Sequence, residues 1–139
     1  MKLLTFQASR FAWRSHAVTL PELADPAAED AASDAVVVFA HAEAADAAPE
    51  ARERALRHAH KHVKWLANKR GLRSVVLHSF THLGAAGDAD PSFARAWLQE
   101  LAGKLRANDY SVKLTPFGWS CAWELSVFGE AIAKVWKEA

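Results

Sequence analysis

Apolar side chains recur along this chain in two periods, one typical of strands and one typical of helices. Strands are predicted where apolar residues alternate or run together, over 2–7, 11–19, 35–40, 74–80, 110–117 and 120–128. The break in the alternation at Ser9 and Arg10 predicts a hairpin turn between the first two strands. Residues 21–34 and 41–48, rich in alanine and acidic side chains, are predicted to be loops, and a short helix is the alternative for 21–34.

Two long helices are predicted between these strands. The first begins at Pro49 and runs to about Arg70, because proline suits a first helical turn and Gly71 ends the pattern. The second opens with Asp90 as its N-cap and runs to about Ala107. Strands that alternate with helices predict an α/β fold with a mixed sheet covered by the two long helices.

Length and composition favour one soluble domain, 1–139, that ends in a short helix from Glu130. Half of the residues are apolar, about a quarter are charged, and no apolar run is long enough to span a membrane. The single cysteine, Cys121, has no partner in the chain for a disulfide, which predicts a reducing, cytoplasmic location.

Positive charge is concentrated in one segment. Residues 16–50 contain no Lys or Arg, whereas 52–73 contain eight of them and a single acid. On the first long helix, Leu56, Ala59 and Val63 form an apolar stripe, and basic side chains with one tryptophan lie opposite. That face is either merely solvated, with its tryptophan against a loop or a subunit, or it binds RNA by phosphate contacts and base stacking. The RNA-binding candidates are Arg54, Arg57, Lys61 and Trp65.

Three histidines, His58, His62 and His78, are first considered as metal ligands or core residues. His58 and His62 are four residues apart on the helix and share a face, but Lys61 lies between them and no third ligand is nearby. We therefore expect no metal and no cofactor. His78 lies within a strand, where a hydrogen-bonded core histidine is expected.

His82 follows the buried run Val75–Leu77, where a strand ends. In open α/β sheets, ligands bind beyond the carboxyl ends of the strands. His82 is therefore either a ligand-binding residue or a histidine that caps a backbone group in the loop.

The segments SVVLHSFTHL (74–83), PS (91–92) and TPFGW (115–119) resemble the N-terminal editing domain of archaeal-type threonyl-tRNA synthetases. That family shares its fold with the D-aminoacyl-tRNA deacylases, and the resemblance extends over the whole chain. It implies hydrolysis of the ester that joins a wrong amino acid, serine in the family, to the 3′-terminal adenosine of threonine tRNA. It further implies a positioned water, backbone N–H groups that bind the oxyanion, and a ribose hydroxyl of the RNA, without a protein nucleophile.

The resemblance also assigns residues. His82 corresponds to the family's pocket histidine, and the segments before it and around the Gly118 turn correspond to the pocket walls. The implied substrate-binding residues are Ser79, Phe80, Thr81, Phe117, Gly118, Trp119 and Ser120.

The sequence departs from the family pattern at several positions. Ser120 and Cys121 stand where the family has an aromatic residue and a lysine, and Gln7 and Ser9 stand where it has His and Asp. The family's acid aligns with Lys134, and Glu130, one turn earlier, is the candidate replacement. The catalytic candidates are therefore His82, Cys121 and Glu130.

Cys121 has two interpretations: a thiolate nucleophile if it lies near His82, or a residue of the pocket wall. Two functions follow for the whole chain. The first is a free-standing deacylase that acts on the aminoacylated 3′ end of tRNA, and the second is a non-catalytic RNA-binding or subunit-interaction module with the same fold. The surplus of tryptophans predicts a homodimer, and no membrane partner is expected.

Overall fold

The computed structural model describes residues 1–139 and contains six strands, two long helices and two 3₁₀ turns. The helices are α1 (Pro49–Asn68) and α2 (Pro91–Ala107), and the 3₁₀ turns are Ala44–Ala47 and Ala131–Ala133. The strands are β1 (Lys2–Val18), β2 (Glu29–His41), β3 (Ser74–Ser79), β4 (Ser111–Leu114), β5 (Trp119–Val127) and β6 (Lys134–Glu138).

The sheet is mixed and has the order β4-β3-β2-β1-β5, with β6 also paired to β1. Strands β2, β3 and β4 are parallel, and α1 and α2 connect them in turn. Both helices pack on the same face of the sheet, where Leu66 and Trp97 join a core with Val36, Val75 and Leu77. The predicted α/β class and the two long helices are confirmed.

Strand β1 is a single strand of 17 residues that holds the sheet together. One of its edges pairs with β2 from Lys2–His41 to Arg14–Glu29, and its other edge is divided between β6 and β5. Side chains on the face away from the helices follow the series Leu4, Phe6, Ala8 and then shift by one to Phe11 and Trp13. The register with β5 slips at the same place, so a bulge bends the strand.

The predicted hairpin at Ser9 and Arg10 is therefore wrong. The break in the apolar alternation marks the bulge inside β1, and the opposing residue of β2, Asp34, has a positive φ of 50°. Residues 29–34, predicted as part of a loop, belong to β2 because they pair with this distal half of β1.

The predicted C-terminal helix is also wrong. A single 3₁₀ turn follows Glu130, and the chain then forms β6 antiparallel to the first half of β1. Val135 packs against the helix-side core, whereas the neighbouring Trp136 is 53% exposed. Alternation over five residues at a sheet edge is too short to be distinguished from a helix by period alone.

Polar side chains on the helix-facing side of β1 are buried and paired. The Thr5 hydroxyl donates to the Val135 carbonyl over 2.9 Å, so it accepts from His62 Nε2, 3.0 Å away. Gln7 Nε2 donates to the Leu66 carbonyl over 2.8 Å. These bonds fix the position of α1 on β1.

The tryptophans are distributed between the interior and the surface. Trp13 and Trp97 are buried, and only Trp65, Trp123 and Trp136 are more than 40% exposed. The homodimer stays a prediction that depends on these three side chains. Neither long helix combines the length and the apolar character that a membrane crossing requires.

Replacing Thr5 with valine is expected to destabilise the fold by about 1–3 kcal/mol, because the buried His62 N–H and the Val135 carbonyl both lose their partner. Denaturant unfolding measures this loss. Thr5→Ser, which keeps the hydroxyl, is the matched control and is expected to retain most of the stability. Equal free energies of unfolding for wild type and Thr5→Val would contradict the prediction.

Candidate functional site

A cavity of about 460 Å³ lies at the carboxyl ends of the three parallel strands. It is lined by residues 78–82 at the end of β3 and just beyond it, by 115–121 from the turn after β4 into the start of β5, and by Ala42 after β2. Ala89 and Pro91, at the start of α2, close it from another side. This is the position at which open α/β sheets bind ligands.

The cavity brings together residues that the sequence analysis assigned to a pocket. His82 is exposed, and its ring stands edge-on to Phe80 with 5.1 Å between the centroids. The two sides of the cavity are formed by residues 79–82 and 115–121, which overlap the segments 74–83 and 115–119 that carry the family resemblance. The predicted site residues that line it are Ser79, Phe80, Thr81, His82, Phe117, Gly118, Trp119, Ser120 and Cys121.

Asp25 holds the turn between β4 and β5. Its carboxylate accepts the Phe117 N–H over 2.9 Å and forms an ion pair with Arg95. Its carbonyl accepts from the indole N–H of Trp119 over 2.7 Å, and its own N–H donates to the Phe117 carbonyl over 2.9 Å. No local sequence pattern indicates this clamp, since Asp25 lies in the alanine-rich segment 21–34.

Gly118 is required at this turn for two reasons. Its φ of +83° is a left-handed conformation that other residues adopt only with strain. A Cβ atom there would lie 2.8 Å from the Ala24 Cα. The Gly118 carbonyl also accepts the N–H groups of Thr19 and Leu20, so the turn packs tightly against the chain that follows β1.

His41, which is fully buried at the end of β2, holds the loop that carries His82. Its Nδ1 accepts the Leu83 N–H over 3.3 Å, so its Nε2 carries the proton and donates to Asp88, 2.7 Å away. Asp88 is the only carboxylate among the lining residues. The sequence analysis did not identify either residue.

Two neighbouring backbone N–H groups, those of Thr81 and His82, are available at the cavity. The N–H groups of Thr81 and His82 make no hydrogen bond within the protein, whereas the preceding Phe80 N–H is bonded to the Ala40 carbonyl over 2.9 Å. Unpaired backbone N–H groups next to a cavity are suited to bind an anion or a developing oxyanion.

His78 lies in the cavity wall and is only 5% exposed. Its Nδ1 is 2.8 Å from the Thr115 hydroxyl, as expected of a hydrogen-bonded histidine. Burial lowers the pKa of the imidazole to about 4, so the ring is neutral at pH 7. Phe39 and Trp123 pack around it, with ring centroids 5.0 and 6.2 Å away.

Cys121 lines the cavity without an activating partner. Burial raises the pKa of its thiol, and its only hydrogen-bond partner is the Trp119 carbonyl, 3.9 Å from Sγ. A thiolate nucleophile requires a nearby cation or imidazole. The structure therefore favours the wall interpretation of Cys121.

Glu130, one of the three catalytic candidates, does not line the cavity. It is exposed and forms an ion pair with Arg70, just beyond the end of α1. The guanidinium of Arg70 also donates to Gln7 Oε1 over 3.3 Å. Glu130 lies one helical turn before the position that aligns with the family's acid, and there it forms this surface ion pair.

The four RNA-binding candidates are exposed side chains of α1. Trp65 is 44% exposed, and the ammonium of Lys69 lies 5.9 Å from its ring centroid. The sheet separates α1 from the face on which His78 and Trp123 lie. His62 is turned inward to Thr5, so it does not share a metal ion with His58.

A mixed sheet with both long helices on one face and a cavity at its parallel carboxyl ends defines a D-aminoacyl-tRNA deacylase-like fold. The chain is similar in structure to the c-Myc DNA Unwinding Element Binding Protein, with a TM-score of 0.70 over 100% of this chain and 99% of that one. Identity between the two is 13%, so this likeness concerns the fold alone.

The archaea-specific editing domain of threonyl-tRNA synthetase matches residues 1–139, and the chain belongs to this family. It is 28% identical to the threonine–tRNA ligases of Methanoculleus marisnigri, over 136 residues, and Hyperthermus butylicus, over 141 residues. Each match covers 97% of this chain and 22% of the ligase, so the chain spans about a fifth of these relatives.

Substituting Gly118 with alanine is expected to destabilise the protein by more than about 1 kcal/mol, from strain at positive φ and the close approach to Ala24. Thermal unfolding of purified variants measures the effect. Gly129→Ala is the control, because a Cβ at Gly129 meets nothing within 4 Å. A Gly118→Ala protein as stable as this control would contradict the analysis.

Proposed function

We propose that this domain hydrolyses the ester bond between a wrongly attached amino acid and the 3′-terminal adenosine of a tRNA. The carrying observation is that His82 and the Gly118 turn line one cavity, in a chain that belongs to an editing family. Serine on threonine tRNA is the substrate that the family resemblance implies.

The character of the cavity supports an uncharged nucleoside end as its ligand. A volume of about 460 Å³ accommodates an amino acid together with part of the adenosine. Phe80, Trp119 and Trp123 offer aromatic faces on which a base can stack, and no Lys or Arg lines the space. The phosphates of the RNA are therefore expected to be bound elsewhere.

The proposed reaction needs no protein nucleophile. A water molecule held by His82 adds to the ester carbonyl, and the N–H groups of Thr81 and His82 bind the oxyanion that forms. The bond to the ribose oxygen then breaks, this oxygen takes a proton, and the free amino acid leaves. A neighbouring ribose hydroxyl of the RNA helps to orient the water.

Asp88 is suited to the α-ammonium group of the substrate. That ammonium is a cation, and Asp88 is the only carboxylate in the lining. One of its oxygens accepts from His41, which leaves the other available to the substrate. We assign Asp88 the role of orienting the aminoacyl group.

A non-catalytic RNA-binding or interaction module is the alternative. It is favoured by two features: Cys121 occupies the position of the family's lysine, and Glu130 lies outside the cavity. Both proposals share the RNA contact of the α1 face (Arg54, Arg57, Lys61 and Trp65), so only turnover distinguishes them.

His82→Ala is expected to lower kcat for deacylation about 100-fold, because the water loses its side-chain partner. The measurement is hydrolysis of seryl-, alanyl-, threonyl- and D-aminoacyl-tRNA by the purified chain. Cys121→Ser is expected to remain active, since the thiol is not the nucleophile. An unchanged rate for His82→Ala would overturn the assigned mechanism, and tRNA binding without turnover of any ester would favour the alternative.

Replacing Arg54, Arg57 and Lys61 together with alanine is expected to weaken tRNA binding and to reduce the slope of log K against log salt by about 2. Binding titrations at several salt concentrations measure this slope. Lys104→Ala, an exposed cation on α2, is the control. A slope that stays unchanged in the triple variant would exclude the α1 face as the contact.

A further inference from the structure

One nitrogen of His78 has no partner in the protein. Its Nδ1 is bonded to Thr115, whereas its Nε2 makes no hydrogen bond. The fully enclosed polar atoms without a partner are Glu43 Oε2 and Trp97 Nε1, and His78 Nε2 is not among them. Since His78 lines the cavity, this nitrogen opens into it.

The ring has a fixed position and a fixed charge. It packs against both Phe39 and Trp123 and is hydrogen-bonded to Thr115, and these contacts hold the ring in one orientation. Burial keeps the pKa of the ring well below neutrality. A ligand in the cavity therefore meets a neutral imidazole nitrogen at a defined place.

A hydroxyl is the ligand group that matches this nitrogen best. If Nδ1 donates to Thr115, then Nε2 is an acceptor, and if Nδ1 accepts, then Nε2 is a donor. A hydroxyl both donates and accepts, so it pairs with either tautomer. A methyl group would leave the buried nitrogen unpaired, which costs binding free energy.

We propose that His78, held by Thr115, is a specificity-determining residue that recognises a hydroxyl on the side chain of the esterified amino acid. This inference rests on the proposed function, because it places the aminoacyl group in the same cavity. It assigns discrimination between hydroxylated and purely aliphatic amino acids to His78, which the sequence alone suggested was a hydrogen-bonded core histidine.

Two substitutions separate the two nitrogens of the ring. His78→Asn places an amide near the position of Nδ1, where it can keep the Thr115 bond, and removes the group that faces the cavity. His78→Gln extends an amide to the position of Nε2 and restores a polar group there. Thermal unfolding of both variants establishes that they are folded.

The experiment measures the affinity of non-hydrolysable 3′-amide analogues of seryl- and alanyl-adenosine, together with hydrolysis of the corresponding tRNA esters. Wild type is expected to bind the seryl analogue about 10- to 100-fold more tightly than the alanyl analogue. His78→Asn is expected to lose most of this ratio by weakening seryl binding alone, and His78→Gln is expected to keep it.

The outcomes test the role of His78 separately from the deacylase proposal. A seryl-to-alanyl ratio that His78→Asn leaves unchanged, or an equal loss for both analogues, overturns the specificity role. If neither ester is hydrolysed but the binding ratio follows the expected pattern, the deacylase proposal fails and the role of His78 stands. If one or both of the two variants are unfolded, Thr115→Val is measured instead and is expected to reduce the ratio, and an unchanged ratio in that variant overturns the proposal.

Discussion

The pairing of β1 with three other strands is the constraint on which the rest of the structure depends. A single strand of 17 residues gives one edge to β2 and divides the other between β6 and β5. The bulge near Ser9 and Arg10 bends this strand, so the sheet curls over its own inner face. Trp123 of β5 thereby packs against Phe39 of β2, with 5.1 Å between the ring centroids, and the cavity lies beside this contact.

Two clamps outside the motifs position the motif residues. Asp25 bonds the turn on one side of the cavity, and His41 bonds the loop that carries His82 on the other. Each clamp bonds a backbone N–H of the segment that it holds, so it fixes the main chain as well as the side chains. Because the proposed chemistry relies on backbone donors and a positioned water, it depends on the placement of the main chain as well as on the identity of His82.

The sequence predicted what short-range patterns encode. The apolar period and the residues that begin and end helices predicted α1 and α2. The family resemblance predicted which segments line the pocket. The same reasoning failed for β1, because a bulge shifts the phase of the alternation and imitates a turn. The clamps left no local signal, since Asp25 bonds a residue 92 positions away and His41 one 47 positions away. The count that made Glu130 a candidate assumed a helix after it, whereas a 3₁₀ turn and strand β6 follow it.

The basic side chains of α1 and the cavity lie on different parts of the protein. In the proposed function, the RNA is therefore attracted at one place and its end is recognised at another. The cavity contains no Lys or Arg, and the basic side chains of α1 lie on the other side of the sheet. An RNA that contacts both must extend from the helix layer around the sheet to its inner face. The electrostatic attraction of its phosphates then affects mainly the affinity, because this attraction falls off within about 8 Å in physiological salt. In the proposed function, selection of the amino acid depends instead on short-range groups inside the cavity, namely a neutral imidazole, a carboxylate and aromatic faces.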